Sequence, residues 1–446
     1  GQQQPAGMRL DLTGTLAAPG APPQPYRASF DLKRTTPAGG YFHWVPPYRG
    51  AAQSELLAIL ALLVFGIGAG YPVNANRFSM QAGYRNRLIR AYLGASKRNR
   101  QPNLFTGFDT NDDVYLSDLR ANRPLPVINM ALNLVRGGNL AWQERKAESF
   151  TATPLHCGAG TLGYRPTAEY GGRKGLTLGT AVATSGAAAN PNMGQHSSPA
   201  IGFIMAFFNV RLGIWLGNPK SRATYRKNGP RSAARVLVDE AFGLTDAEHP
   251  YVSLSDGGHF EDLGLYEMVR RRCRTIFVSD AGADPSYAFD DLGNAIRKIR
   301  IDFGIPIVFK ERVLIVPRQA SGKAEDDARY CAIAEIQYGA VDQGTAPGTL
   351  IYIKPSIVPG APFDVQNYAR ENPLFPHQST ADQWFSESQF ESYRALGENA
   401  VEVMAAGGHY PGGGAAPAGL DPFVDRVKEY VKVQKAAGTA TTVLPP

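Results

Sequence analysis

The chain has 446 residues, with 46 Lys and Arg against 39 Asp and Glu, a formal charge of +7. That length allows one large domain or two to three ordinary ones, and an apolar share of 43% excludes a disordered chain, while 48 glycines and 33 prolines describe a loop-rich one. Cys157, Cys273 and Cys331 stand far apart with no C-x-x-C spacing, so neither a structural zinc site nor a disulfide framework is expected, and a reducing compartment is the simpler reading. No RNP, zinc-finger or helix-turn-helix signature accompanies the positive excess, and no nucleic-acid partner is expected.

Residues 1–50 read as a loop-rich leader or linker. They begin GQQQPAGMRLDLTG, without an initiator Met, a charged n-region or an apolar h-region, and the expectation is a fragment or a processed product. Residues 51–75 are an apolar, membrane-proximal segment. Leu56 to Gly70 carries no charge; it is shorter than the roughly 20 residues a spanning helix needs. It reads as a buried or interfacial helix, as the end of a membrane span, or as an apolar stretch within a loop. Asn76 to Arg100 interleaves Phe78, Leu88, Ile89, Tyr92 and Leu93 with Arg77, Arg85, Arg87, Arg90, Lys97, Arg98 and Arg100. Such a basic amphipathic helix can lie on an anionic membrane, or simply have one solvated face.

Gln101 to Thr180 is punctuated by glycine turns, and its periodicity is too weak to place elements. Ser198 to Leu216 is apolar almost throughout and reads as a buried helix, with Pro199 in its first turn. After His249 the pattern sharpens. Strands are expected at Tyr251–Ser255, Thr275–Ser279 and Ile305–Phe309, separated by helices at Glu261–Cys273 and Ala288–Phe303. That alternation predicts an α/β fold, a mostly parallel sheet with helices on both faces and right-handed crossovers. Ala332–Tyr338 and Thr349–Lys354 are expected to form a hairpin at a sheet edge. Residues 398–446 read as a flexible linker, Gly407–Gly419, and a short amphipathic helix, Asp421–Ala437.

In open parallel sheets ligands bind beyond the carboxyl ends of the strands. Two such ends carry the same signature, Ser255-Asp256-Gly257-Gly258-His259 and Ser279-Asp280-Ala281-Gly282. An Asp leaving a strand before two glycines lets the chain turn sharply and holds the carboxylate at the strand end, where it can act as a general base toward a serine hydroxyl. The competing reading is that Asp256 only caps the following turn. Asp280 reads as structural or as a substrate-positioning group.

The run Tyr251 to Pro285, YVSLSDGGHFEDLGLYEMVRRRCRTIFVSDAGADP, resembles the catalytic-aspartate segment of the patatin-like phospholipases, in particular bacterial, membrane-associated members. Asn76–Ser96, Gly179–Ser198 and Thr380–Gly397 support the likeness, which covers residues 76–397 as the C-terminal part of such a domain. The resemblance implies a Ser-Asp dyad that cleaves lipid acyl esters through an acyl-enzyme, with Asp256 as the base and Gly257 and Gly258 forming its turn, no cofactor and no metal. It also implies a G-x-S-x-G elbow after a glycine-rich loop, and neither occurs in this sequence. The patatin-like fold is therefore expected with an incomplete N-terminal part. The serine is expected upstream or on a second chain, membrane lipid as the partner, and the cytoplasmic face of a membrane as the location. The alternative is a non-catalytic membrane-associated or assembly subunit that keeps the fold.

Ser185 resembles the family's small-residue segment that packs beside the nucleophile, and is expected to be structural. Ser96 follows a helix rather than a strand and lacks elbow geometry. His259, Glu261 and Asp262 lack a metal motif such as H-E-x-x-H and read as helix-start polarity. The His156-Cys157 pair reads as packed or inert.

Overall fold

The computed structural model describes residues 8–16, 24–32, 49–70, 74–77, 79–138, 143–318, 324–325, 327–379, 382, 384–408 and 417–432. The chain divides into two compact units, residues 1–68 and 69–446. In the first, β1 (Met8–Leu16) and β2 (Gln24–Leu32) pair antiparallel, with Met8 opposite Leu32. The alternation Met8, Leu10, Leu12 against Arg9, Asp11, Thr13 is a strand signal, so the expected loop-rich leader contains a hairpin. Then α1 (Arg49–Gly70) exposes Leu56, Leu57, Ile59, Leu62 and Phe65, which at about 100° per residue point to all sides of the helix. No helix among the described residues is long and apolar enough to cross a membrane. Most of the linker expected at Gly407–Gly419 and the tail beyond residue 432 lie outside the described residues.

The second unit opens with α2 (Met80–Leu88), which continues through one π-helical turn over Ile89–Gly94. A six-stranded sheet follows. Its strands are β3 (Ile128–Asn133), β4 (Ala147–Ala152), β5 (His156–Ala159), β6 (Gly163–Pro166), β7 (Ile214–Gly217) and β8 (Tyr251–Asp256), in the order β6-β5-β4-β3-β8-β7, every pair antiparallel. Between β6 and β8 the chain forms α3 (Leu178–Ser185), α4 (Pro199–Phe207) and α5 (Ala233–Ala241). Period two sorts the side chains. On β8, Val252 and Leu254 join Met130, Leu132, Phe150 and Ile214 in one core, which leaves Ser253 and Ser255 buried on the opposite face.

A second, smaller sheet takes β9 (Thr275–Ser279), β10 (Ile307–Phe309), β11 (Cys331–Ile336) and β12 (Gly348–Ile353) in the order β10-β11-β12-β9, and only β12 and β9 run parallel. Ile276, Val278, Leu350 and Tyr352 pack against α6 (Leu265–Arg270) and α7 (Asp290–Phe303). Cys331 and Ile351 pack the other way, against α8 (Phe363–Glu371), α9 (Glu387–Ala405) and α10 (Leu420–Lys432). Asp290 and Asp291 open α7 and left-handed Gly304 closes it, as the helix dipole and the αL stop favour.

The single mostly parallel sheet expected from the sequence is thus replaced by one antiparallel and one mixed sheet. The three successive strands β8, β9 and β10 lie where their periodicity put them, yet none neighbours another. β8 enters the large sheet between β3 and β7 because Val252 and Leu254 complete the core around Met130 and Leu132. β9 crosses to the other sheet, where Ile276 and Val278 are covered by α6 and α7. The β11–β12 hairpin forms, but at the centre of its sheet rather than at an edge. The expected buried helix over Ser198–Leu216 splits into α4 and β7, and Phe203, Ile204 and Phe207 on α4 and Phe208 just after it are exposed.

Candidate functional site

Asp256 ends β8, with Met130 of β3 directly opposite. The chain then turns through a single 3₁₀ turn, Gly257–His259, and one Asp256 carboxylate oxygen accepts from Gly258 N at 2.8 Å. Both glycines answer a close approach. A Cβ at Gly257 would lie 3.0 Å from the Asn129 carbonyl oxygen, and one at Gly258 would lie 2.0 Å from Asp262 Oδ1. Asp256 is half-buried, and that burial raises its pKa above the usual carboxylate range, against the opposing bond from Gly258. Among the described residues no cation pairs with it, unlike Asp280, which Lys354 Nζ holds at 2.9 Å.

Three other segments converge here. Tyr84 on α2 feels both burial and the Asp256 charge, which raise its pKa, and a Cβ at Gly186 would come within 2.9 Å of its hydroxyl. Ser185 ends α3 and donates its hydroxyl to the Asn129 carbonyl at 2.6 Å. The segment after α3 is pinned by His259. Its Nε2 lies 3.1 Å from the Ala188 carbonyl and its Nδ1 2.7 Å from Ser255 Oγ. A carbonyl can only accept, so Nε2 carries the proton and Nδ1 accepts from Ser255; Ser255 Oγ in turn accepts from Asn133 Nδ2 at 2.8 Å. Burial pushes the His259 pKa down to about 4, with a smaller contribution from His196. Ser255 is fully buried, so this Ser-His contact is a clamp closed to substrate.

Asp262 sits beside the same turn. Burial, then the charges of Asp291, Asp256 and Glu261, raise its pKa, and a hydrogen bond to Asp291 keeps the proton on Asp262. Glu261, expected in the first turn of a helix, precedes α6 instead and accepts from Leu263 N and Tyr266 N at 2.7 and 3.2 Å. Asp280 accepts from Tyr352, from Lys354 and from Gly282 N, a buried structural arrangement.

Ser96 bonds the carbonyls of its own helical turn, Leu93 at 3.1 Å and Tyr92 at 3.4 Å. His156 is exposed while Cys157 is buried against Thr167, with its thiol pKa pushed up to about 11 by burial, so the two face opposite sides of β5. No group of three or more His, Cys, Asp and Glu among the described residues could hold a metal ion.

The sequence reading found Asp256, Gly257 and Gly258 and passed over Tyr84, Asn133 and the role of His259. The four-residue spacing of Ser255 and His259 around a D-G-G turn was the one local signal for the clamp. No protein-family model matches the chain, and no curated protein matches it.

Proposed function

We propose that Asp256 is the base of a Ser-Asp acyl hydrolase acting on membrane lipid at the cytoplasmic face of a membrane, as the likeness to patatin-like phospholipases implies, with the serine supplied from outside the described residues or by a second chain. The observation that carries this reading is a carboxylate at a strand end, held on one oxygen by a backbone N–H and left without a cation among the described residues. A carboxylate locked in an ion pair is a poor proton acceptor; one held by Gly258 on one oxygen keeps its second for a hydroxyl. It would take the serine proton as the serine oxygen attacks the ester carbonyl, then return that proton to the departing alcohol oxygen. Water would release the acyl group by the same exchange. A raised carboxyl pKa brings the base closer to working pH.

The second reading is a non-catalytic membrane-associated or assembly subunit. It is favoured by the Ser185 hydroxyl, which is committed to the Asn129 carbonyl rather than to Asp256. Asp256→Asn in the complete protein separates the two. For the hydrolase, ester hydrolysis falls by about 10²–10⁴-fold with the melting temperature held or raised, because a neutral amide avoids the burial penalty that raises the Asp256 pKa. Unchanged hydrolysis removes Asp256 from the mechanism. A complete protein that neither hydrolyses esters nor takes a fluorophosphonate adduct is the subunit.

A further inference from the structure

One cavity of the second unit has no lining residue in common with the Asp256 turn. It has a volume of about 390 Å³ and lies between the start of α2, residues 171–180 and β7. Arg77, Gln81 and Arg85, spaced four residues apart, reach it from one side, and Thr177, Thr180 and Asn228 line it from others; its floor includes Ile214 and Leu216. No carboxylate lines it, and neither arginine makes an ion pair among the described residues. Among the described residues the Arg85 guanidinium hydrogen-bonds the amide oxygen of its neighbour Asn86, at 3.3 and 3.4 Å. Gln81 supplies the decisive observation. It is 2% exposed, and its amide nitrogen Nε2 has no hydrogen-bond partner among the described residues.

An amide N–H buried without an acceptor is destabilising, and guanidinium groups cannot answer it because they only donate. The wall therefore offers donors and positive charge to an occupant rich in acceptors and negative charge. The N-terminus of α3 adds little, since Asp113 Oδ1 already accepts from Gly179 N at 2.9 Å. We propose that this cavity binds a phosphate group, whose oxygens accept from Gln81 Nε2 and from the guanidinium groups of Arg77 and Arg85.

The placement bears on the active-site reading. Tyr84, which feels the Asp256 charge, lies on α2 between Gln81 and Arg85. A phosphate held here is thus attached to the same helical turn that reaches the candidate base. Where that phosphate belongs to a lipid headgroup the proposal rests on the hydrolase reading; the site itself does not.

The test is calorimetric titration of the complete protein with inorganic phosphate, alongside sedimentation with phosphatidylcholine vesicles with or without phosphatidic acid. Saturable phosphate binding is expected, weakened about tenfold or more by Arg85→Gln and severalfold by Gln81→Met, which keeps the buried volume and deletes the amide. Phosphate binding without vesicle binding supports the site with a soluble ligand; phosphatidic acid dependence that is lost in both variants supports a headgroup. No saturable phosphate binding by the folded wild type, or unchanged binding in both variants, overturns the proposal. Asp256→Asn should bind phosphate as wild type does, so a failed hydrolase reading and a failed phosphate site give different results.

Discussion

Ser255 gives its hydroxyl proton to Nδ1 of His259 across 2.7 Å, and through that ring it clamps the Ala188 carbonyl to the end of β8. The clamp works only while the imidazole is neutral. Protonated, Nδ1 becomes a donor, and the Ser255 hydroxyl proton loses its acceptor. The folded pKa of about 4 lies below the unfolded value of about 6.5, so the unfolded chain binds more protons between these values and stability falls as pH drops through that window. The expected contribution is of order 1–3 kcal/mol, complete above pH 6.5 and lost by pH 4. Urea midpoints at pH 7 and pH 4 should fall further in the wild type than in His259→Gln. Equal falls in the two proteins would remove His259 from the acid response.

Gly258 makes a sharper steric statement. Its φ is not left-handed, so alanine is opposed chiefly by the Asp262 carboxylate, 2.0 Å from the missing Cβ, with Asp256 Oδ1 a lesser obstacle at 3.3 Å. Gly258→Ala should destabilise the protein by about 1–3 kcal/mol, the usual range for overpacking. In an Asp262→Ala background the same change should cost less than about 0.5 kcal/mol. Denaturant titrations of the four proteins in the cycle measure the coupling, and additive penalties would place the clash elsewhere.

Arg211 and Glu240 are each 1% exposed and meet at 2.9 Å, with Trp215 Nε1 donating to the second Glu240 oxygen at 2.7 Å. Arg211 also binds the Ala75 carbonyl. Burial raises the Glu240 pKa despite both partners, which says that desolvation outweighs the attraction and that the pair is a poor net stabiliser. Removing half of it is another matter. Glu240→Ala strands a buried guanidinium and should cost about 3–5 kcal/mol. The pair of changes Arg211→Met with Glu240→Met should cost less than either single change. A double variant weaker than both singles in urea denaturation would contradict this.

Local chemistry was legible in the sequence, and long-range pairing was not. Val252, Leu254, Ile276 and Val278 alternate strongly enough to fix β8 and β9 to within a residue, and the D-G-G turn announced itself because its constraints lie within three positions. Nothing local says that β8 seeks β3, since that choice depends on an apolar face shared with Met130 and Leu132. The four short strands β3 to β6 were invisible for related reasons: β3 and β4, largely buried on both faces, lose the alternation that marks a half-exposed strand, and β5 and β6, four residues each, are too short to show it. On α4 the inference from apolar to buried failed for the large side chains, since Phe203, Ile204 and Phe207 are exposed and only Gly202 and Ala206 are buried. Tyr84, Ala188 and Asn133 reach Asp256 and His259 from distant stretches of chain, and no motif could have linked them.

The pairing of β3 with β8 also sets an order of events during synthesis. Asn133 and Ser255 are separated by 122 residues, so the growing chain must expose β3 to β6 well before the strand that completes their sheet exists. Through that interval the free edge of β3 is open to other chains. The carboxylate turn and the histidine clamp can close only when β8 arrives, which makes the candidate site the last part of the large sheet to take shape.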